Sequence, residues 1–314
     1  MLTCKSPRKV LLIAHQLASD CLPAYSCKFS RHDFTLPQLF ACLVLREHQR
    51  KSYEGVVALL RDSPEWCRAI GLKRVPAAST LCNAFAALST HERINGMLDQ
   101  LSIWMKRCRK LGRTTAVDST LLDLRYRSRH YEQRCRHYAS SDKPSANQRR
   151  SRSAKAVPKL AIAVDTASHF ILAVHAGIGM GSDAPHFIPI LRDASARHHR
   201  LRWVLADAGY DAHENHRVAR QELGVRTLIK TGVGRPGRRP PRSAYRRRMK
   251  RLLAGSQRGR RYAQRAQVET ANSMTKRNLG DHLRCLSDKR RMQEMAFRAV
   301  VHDIMVYSTV EQRV

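Results

Sequence analysis

Thr114-Thr115-Ala116-Val117-Asp118 is the stretch on which the reading of this chain turns. Upstream of it, from Leu36 to about Gly112, the pattern is helical and carries no alternating strand signal. From it onward, short runs rich in Val, Ile and Thr alternate with helical ones. β-Branched and apolar residues followed by a carboxylate predict a strand that ends on Asp118. The same form returns at Trp203-Val204-Leu205-Ala206-Asp207. Between the two, residues 160–165 and 170–176 read as strands flanking Thr166-Ala167-Ser168-His169, a hairpin. Ser182 or Asp183 caps a helix to about Ala196 with Pro185 near its first position, and a helix over 213–223 leads into a strand over 225–230. The alternation predicts an α/β fold, a mixed sheet covered by helices.

Working outward, Leu36-Pro37-Gln38-Leu39 starts a largely apolar helix and Ser52-Tyr53-Glu54 an amphipathic one. Ser79 or Thr80 is expected to cap a helix through Leu88, and a longer helix from Glu92 to Arg109 stops before Gly112. At about 150 residues per domain, 314 residues predict two: a helical part over 1–112 and an α/β part over 113–314. The apolar stretch Val10 to Ala14 follows Lys5, Arg8 and Lys9, but His15 and Gln16 break it too early for an export signal. No apolar run is long enough to span a bilayer, so the expectation is a cytoplasmic protein with no membrane partner. The nine cysteines are odd in number and lack zinc-ligand spacing, and are expected to be reduced and mostly buried.

Lys and Arg number 58 against 25 Asp and Glu, a net charge of +33, which excludes an ordinary small-molecule enzyme and demands a polyanionic partner. Two segments concentrate this charge and read as basic loops. Residues 125–159 hold eleven Lys and Arg against Glu132 and Asp142. In the second, 232–261, twelve fall within 235–261, among them Arg246, Arg247 and Arg248, with no acid between Glu222 and Glu269. Segments this basic must be solvated or paired with phosphates.

In such a chain, acids at the ends of apolar strands are informative, because a desolvated carboxylate needs a cation or hydrogen bonds. Asp118 and Asp207 hold equivalent places and converge if their strands are neighbours. Two like charges held together call for a divalent cation, and hard Mg²⁺ or Mn²⁺ prefers such oxygen ligands. Asp165, at the hairpin turn, is read as structural. Downstream, Arg261-Tyr262-Ala263-Gln264-Arg265-Ala266-Gln267-Val268-Glu269 continues without Gly or Pro to Lys276-Arg277 and is expected to be one helix. At about 100° per residue, Tyr262, Arg265, Glu269 and Lys276 then fall within about 60° on one polar face. A surface ion pair between Arg265 and Glu269 at i,i+4 is the plainer reading of part of this face. A tyrosine and two cations around one acid suit a phosphate-handling site better.

The spacing Tyr262, Arg265, Glu269, Lys276 resembles the Tyr-Arg-Glu-Lys signature of DDE-type insertion-sequence transposases. Ala116-Val117-Asp118-Ser119-Thr120 and Ala206-Asp207-Ala208-Gly209-Tyr210-Asp211 resemble their first and second acid motifs, and Gly181-Ser182-Asp183-Ala184-Pro185-His186 a segment common between them. The stretch from Leu39 to Leu88 is similar to the helical region that precedes the core. The resemblance implies a ribonuclease-H-like catalytic core after an all-helical N-terminal domain that binds the terminal repeat. It implies that Asp118, Asp207 and Glu269 bind two divalent ions, Mg²⁺ or Mn²⁺, while Tyr262, Arg265 and Lys276 lie near the DNA ends; Arg246, Arg247 and Arg248 of the basic loop are expected, from their charge alone, to bind DNA of any sequence. The implied reaction is metal-dependent hydrolysis at the element's ends followed by attack of the 3′-OH on target DNA. The implied partners are double-stranded DNA, as terminal inverted repeats and target, and at least a second copy of the chain; the implied location is the nucleoid. Residues 208–268 hold one obvious strand, so a β-rich insertion carried by some relatives is expected to be absent, which leaves second-strand cutting open. A nuclease or resolvase without strand transfer, and a non-catalytic DNA-binding derivative, are the alternatives.

Overall fold

The computed structural model describes residues 3–29, 32–125, 157–179, 181–231, 243–253 and 256–311. Six helices come first: α1 (Pro7–Cys21), α2 (Leu36–His48), α3 (Tyr53–Asp62), α4 (Pro64–Ala69), α5 (Ala78–Leu88) and α6 (His91–Arg107). Their starts are set by side-chain oxygens accepting first-turn amides: Ser6, Thr35, Ser52 and Thr90 cap α1, α2, α3 and α6. At Thr35 the bond is reciprocal, with Gln38 reaching back to the cap amide. Helix α1 was not foreseen. Its His15 and Gln16 face outward enough for Val10, Leu11, Ala14, Leu17 and Ala18 to form one buried stripe against α2. The cap of α5 falls at Ala77 without a side-chain bond, so Ser79 and Thr80 lie inside the first turn.

Strands β1 (Thr114–Leu121), β2 (Asp123–Leu124), β3 (Pro158–Asp165) and β4 (Ile171–Ile178) follow, then α7 (Ala184–Arg197), β5 (Trp203–Ala206), a 3₁₀ turn (Ala208–Tyr210), α8 (His213–Arg217) leading into a π-helical turn (Val218–Glu222), and β6 (Arg226–Ile229). The main sheet is five-stranded with order β4-β3-β1-β5-β6, and β3 alone runs against the others. Every residue of β3 is buried, as befits a strand covered on both faces. Helices α9 (Ala244–Leu253), α10 (Ser256–Ala263) and α11 (Ala266–Leu279), then β7 (His282–Leu283), which pairs with β2, and α12 (Asp288–Val310) complete the chain. Helix α7 packs on β3 and β4, α11 on β1 and β3, and α12 on β4, α6, α1 and α2. Among the described residues no helix is long and apolar enough to cross a membrane.

Four expectations need correction. Strand β1 does not stop at Asp118: β3 pairs with it as far as Leu121↔Lys159, whereas the parallel pairing with β5 ends at Val117↔Ala206. The helix expected over 261–277 is broken. Gln264 and Arg265 form a tighter turn with i to i−3 bonds, Gln267 N to Gln264 O and Val268 N to Arg265 O, so a single wheel does not describe it. Much of the basic segment 232–261 is helix, not loop, since residues 244–253 contain helix formers and no Gly or Pro; most of the other, residues 126–156, lies outside the described residues. Among the eight described cysteines only Cys4, Cys42 and Cys67 are buried, and Cys27 and Cys82 are exposed.

Candidate active site

The site lies where β5 ends. Val117 pairs with Ala206, so Asp118 and Asp207 each stand one residue past the last parallel pair, on neighbouring strands about 4.8 Å apart. Each carboxylate is steadied by the next amide: Ser119 N–H donates to Asp118 Oδ1 at 2.9 Å, and Ala208 N–H to Asp207 Oδ1 at 2.7 Å. The Asp118 backbone remains paired with Ile162 of β3, which makes its position rigid, while Asp207 begins the 3₁₀ turn.

Glu269 comes from the first turn of α11, which lies against β1. The guanidinium of Arg265 joins the acids: its Nη2 is 2.6 Å from Glu269 Oε1 and its Nη1 is 3.8 Å from Asp118 Oδ2. Tyr262, at the end of α10, donates its hydroxyl to Ala206 O at 3.4 Å, beside Asp207. Burial pushes the Asp118 carboxyl up, opposed by Ser119 N–H and Arg265 and reinforced by the charges of Glu269 and Asp207. Burial likewise raises the Tyr262 hydroxyl, with Asp207 and Asp118 adding to the effect and Arg265 opposing it. Asp118 therefore feels the charges of both Glu269 and Asp207, with one arginine between it and Glu269.

The other expected residues sit further out. Lys276 Nζ donates to Leu121 O at 2.9 Å, at the far end of β1 from the sheet's parallel core. On α9, Arg246 is held by Asp211, with Nε and Nη2 each 2.7 Å from Oδ2, whereas Arg247 and Arg248 lie on its exposed side. Asp165 is buried and accepts from Gly112 N–H at 2.9 Å and from Ser168 N–H and Oγ–H at 2.9 and 2.7 Å, the structural turn role expected of it.

Sequence reasoning missed the use of Asp183. It precedes α7 but makes no capping bond. Its Oδ1 accepts from Ser119 Oγ at 2.7 Å and pairs with Lys159 Nζ. The only signal was its place in the segment between the two acid motifs; nothing marked Lys159 apart from its basic neighbours.

As a donor set, Asp118, Asp207 and Glu269 offer hard oxygens only, and their mutual repulsion is what a divalent cation relieves. Among the described residues no three His, Cys, Asp or Glu side chains are grouped closely enough to hold a metal ion as they stand. Arg265 supplies the positive charge between Asp118 and Glu269 instead. The residue types fit Mg²⁺ or Mn²⁺, provided Arg265 shifts from between them.

A five-stranded mixed sheet flanked by helices, with carboxylates just past the last parallel pair of two adjacent strands, is consistent with a ribonuclease-H-like core. The chain belongs to the transposase DDE domain family, which matches residues 109–304, well over half its length. No curated protein and no solved structure matches it.

Proposed function

We propose that the protein is a DNA transposase that hydrolyses phosphodiester bonds at the ends of an insertion sequence and then joins the freed 3′-OH to target DNA. The observation that carries this reading is the placing of Asp118 and Glu269 on either side of Arg265, with Asp207 at the end of the neighbouring strand, in a chain of +33. Divalent ions held by the three acids would activate the attacking oxygen and stabilise the leaving 3′ oxygen, which explains a site built on carboxylates rather than a Ser or Cys nucleophile. Asp118 and Asp207 are pre-set by hydrogen bonds from the Ser119 and Ala208 amides, so little reorganisation is needed at that end. Arg265, released from Glu269, is placed to take a phosphate through its planar fork, and Tyr262 borders the same oxygens. Arg247 and Arg248 on α9, with the neighbouring basic segments, supply the sequence-independent attraction to the DNA backbone.

In this reading residues 1–112 bind the terminal repeat and 113–314 catalyse, and at least two copies act together because two element ends must be held. Incubating the protein with DNA carrying the repeats that flank its gene, together with supercoiled plasmid, with and without Mg²⁺, tests it. Mg²⁺-dependent joining of repeat 3′ ends to the plasmid is the expected result. Nicking without joining would favour the nuclease reading, and binding without cleavage the non-catalytic one.

A further inference from the structure

We propose that Asp183 is a positioning residue for Asp118 and Asp207, acting through Ser119 and balanced by Lys159. The inference rests on the reading of Asp118 and Asp207 as ligands of the catalytic ions. Asp183 stands where a helix cap would, yet its backbone is helical (φ −78, ψ −26) and its carboxylate turns away from α7. Oδ1 accepts from Ser119 Oγ at 2.7 Å, and the amide of that same serine holds Asp118 Oδ1 at 2.9 Å. Oδ2 lies 3.5 Å from the place a β-carbon on Gly209 would occupy, two residues past Asp207. One carboxylate therefore bonds the residue that follows Asp118 and lies beside the turn that follows Asp207.

Lys159 completes the group. Its ammonium pairs with Asp183 and donates to Gly181 O at 2.8 Å, so it ties the chain before α7 to β3, opposite Leu121 of β1. The lysine is buried (8 % exposed), and its charge cancels that of Asp183. The brace thus adds stiffness without adding a fourth uncompensated negative charge to the three acids. Tyr210, also buried, closes the cluster: burial and then the charge of Asp183 push its hydroxyl up, opposed by the Ser119 side chain. Groups that orient metal ligands in this way are typically worth about 10- to 100-fold in metal affinity or activity when removed.

The test compares Ser119→Ala, Ser119→Thr and Asp183→Asn with the wild type. Ser119→Ala is the gentlest, since it removes the hydroxyl link and leaves the Asp183–Lys159 pair intact; Asp183→Asn leaves Lys159 buried and unpaired and is checked first by its melting temperature. Two quantities are read: the Mg²⁺ concentration for half-maximal single-turnover cleavage of end DNA, and Mn²⁺ binding to the protein–end DNA complex by electron spin resonance, with the Asp118→Asn complex as blank. Ser119→Ala is expected to melt like the wild type, bind end DNA equally well, need roughly tenfold more Mg²⁺ and bind Mn²⁺ correspondingly more weakly. Ser119→Thr, which keeps the hydroxyl, restores both. Wild-type Mg²⁺ dependence and Mn²⁺ affinity in Ser119→Ala would overturn the proposal, as would a loss that only follows a lowered melting temperature. If Asp118→Asn itself still cleaves, the reading of the acids has failed; if Asp118→Asn is dead and Ser119→Ala is wild type, only the positioning role has.

Discussion

Lys276 ends on the carbonyl of Leu121, three residues past Asp118 on β1, and so ties the last residue of that strand to α11. A charge-assisted bond at a partly exposed place sits at the low end of about 1.5–3 kcal/mol. Lys276→Met is therefore expected to slow single-turnover cleavage about tenfold while leaving the Mg²⁺ requirement unchanged. A wild-type rate would show that this lysine merely solvates the helix end before Gly280. His302 makes a second residue-scale prediction. It is fully buried, donates Nε2–H to His169 O at 3.0 Å, and burial pushes its pKa down to about 4. Between its ordinary value near 6.5 and about 4, the unfolded chain takes up a proton that the folded one refuses, so stability falls as pH drops through that window. The loss at pH 5 is about 2 kcal/mol. His15, His48 and His216, also lowered by burial, act in the same direction, whereas buried Asp303, whose carboxyl is raised, acts in the opposite one. Urea unfolding at pH 7 and pH 5 isolates the term: the fall is expected to be about 2 kcal/mol smaller in His302→Gln than in the wild type. An equal fall in both would remove His302 from the account.

Among elements, α2 and α12 are joined by a largely buried ion network. Glu47 of α2, fully buried, receives Arg298 Nε of α12 at 2.8 Å and the guanidinium of Arg284. Burial alone would raise the Glu47 carboxyl, but Arg298, Arg284 and Arg46 outweigh it and hold it below the usual range. Glu47→Gln leaves buried cations short of their partner and is expected to cost about 3–5 kcal/mol in urea unfolding. A loss below about 1 kcal/mol would mean that water reaches the network. The same residues explain why α12 was not legible: Glu294, Arg298, His302 and Asp303 are all buried, so its inward face carries no clean apolar stripe. By contrast β1, β5 and the β3–β4 hairpin were legible because β-branched and apolar runs there are bounded by Asp, Ser and Thr. Helix α1 was readable from Val10, Leu11, Ala14, Leu17 and Ala18 had its start not resembled a truncated leader. The turn at Gln264 and Arg265 contains no Gly or Pro; the bonds of Tyr262 to β5 and of Arg265 to Glu269 and Asp118 accompany it, and contacts of that range leave no local trace. The acids themselves were visible in the sequence, whereas the brace through Asp183 and Lys159 joins segments 24 residues apart and is visible only once folded.

For the molecule as a whole, the charge distribution sets the expected behaviour. A net charge of +33 draws DNA to the surface, while Asp118, Asp207 and Glu269, offset only in part by Arg265, form a local island of negative charge at the end of the sheet, repelling phosphate until cations intervene. Removing one charge from that island should therefore weaken catalysis without weakening DNA binding. The measurement that tests the central claim most directly is single-turnover cleavage of end DNA, alongside binding of the same DNA, for Asp118→Asn, Asp207→Asn and Glu269→Gln in Mg²⁺ and in Ca²⁺. Each variant is predicted to bind at least as tightly as the wild type and to cleave nothing, and Ca²⁺ is predicted to support binding alone. Cleavage at the wild-type rate by any one of the three would contradict the account for that acid and for the site built on it.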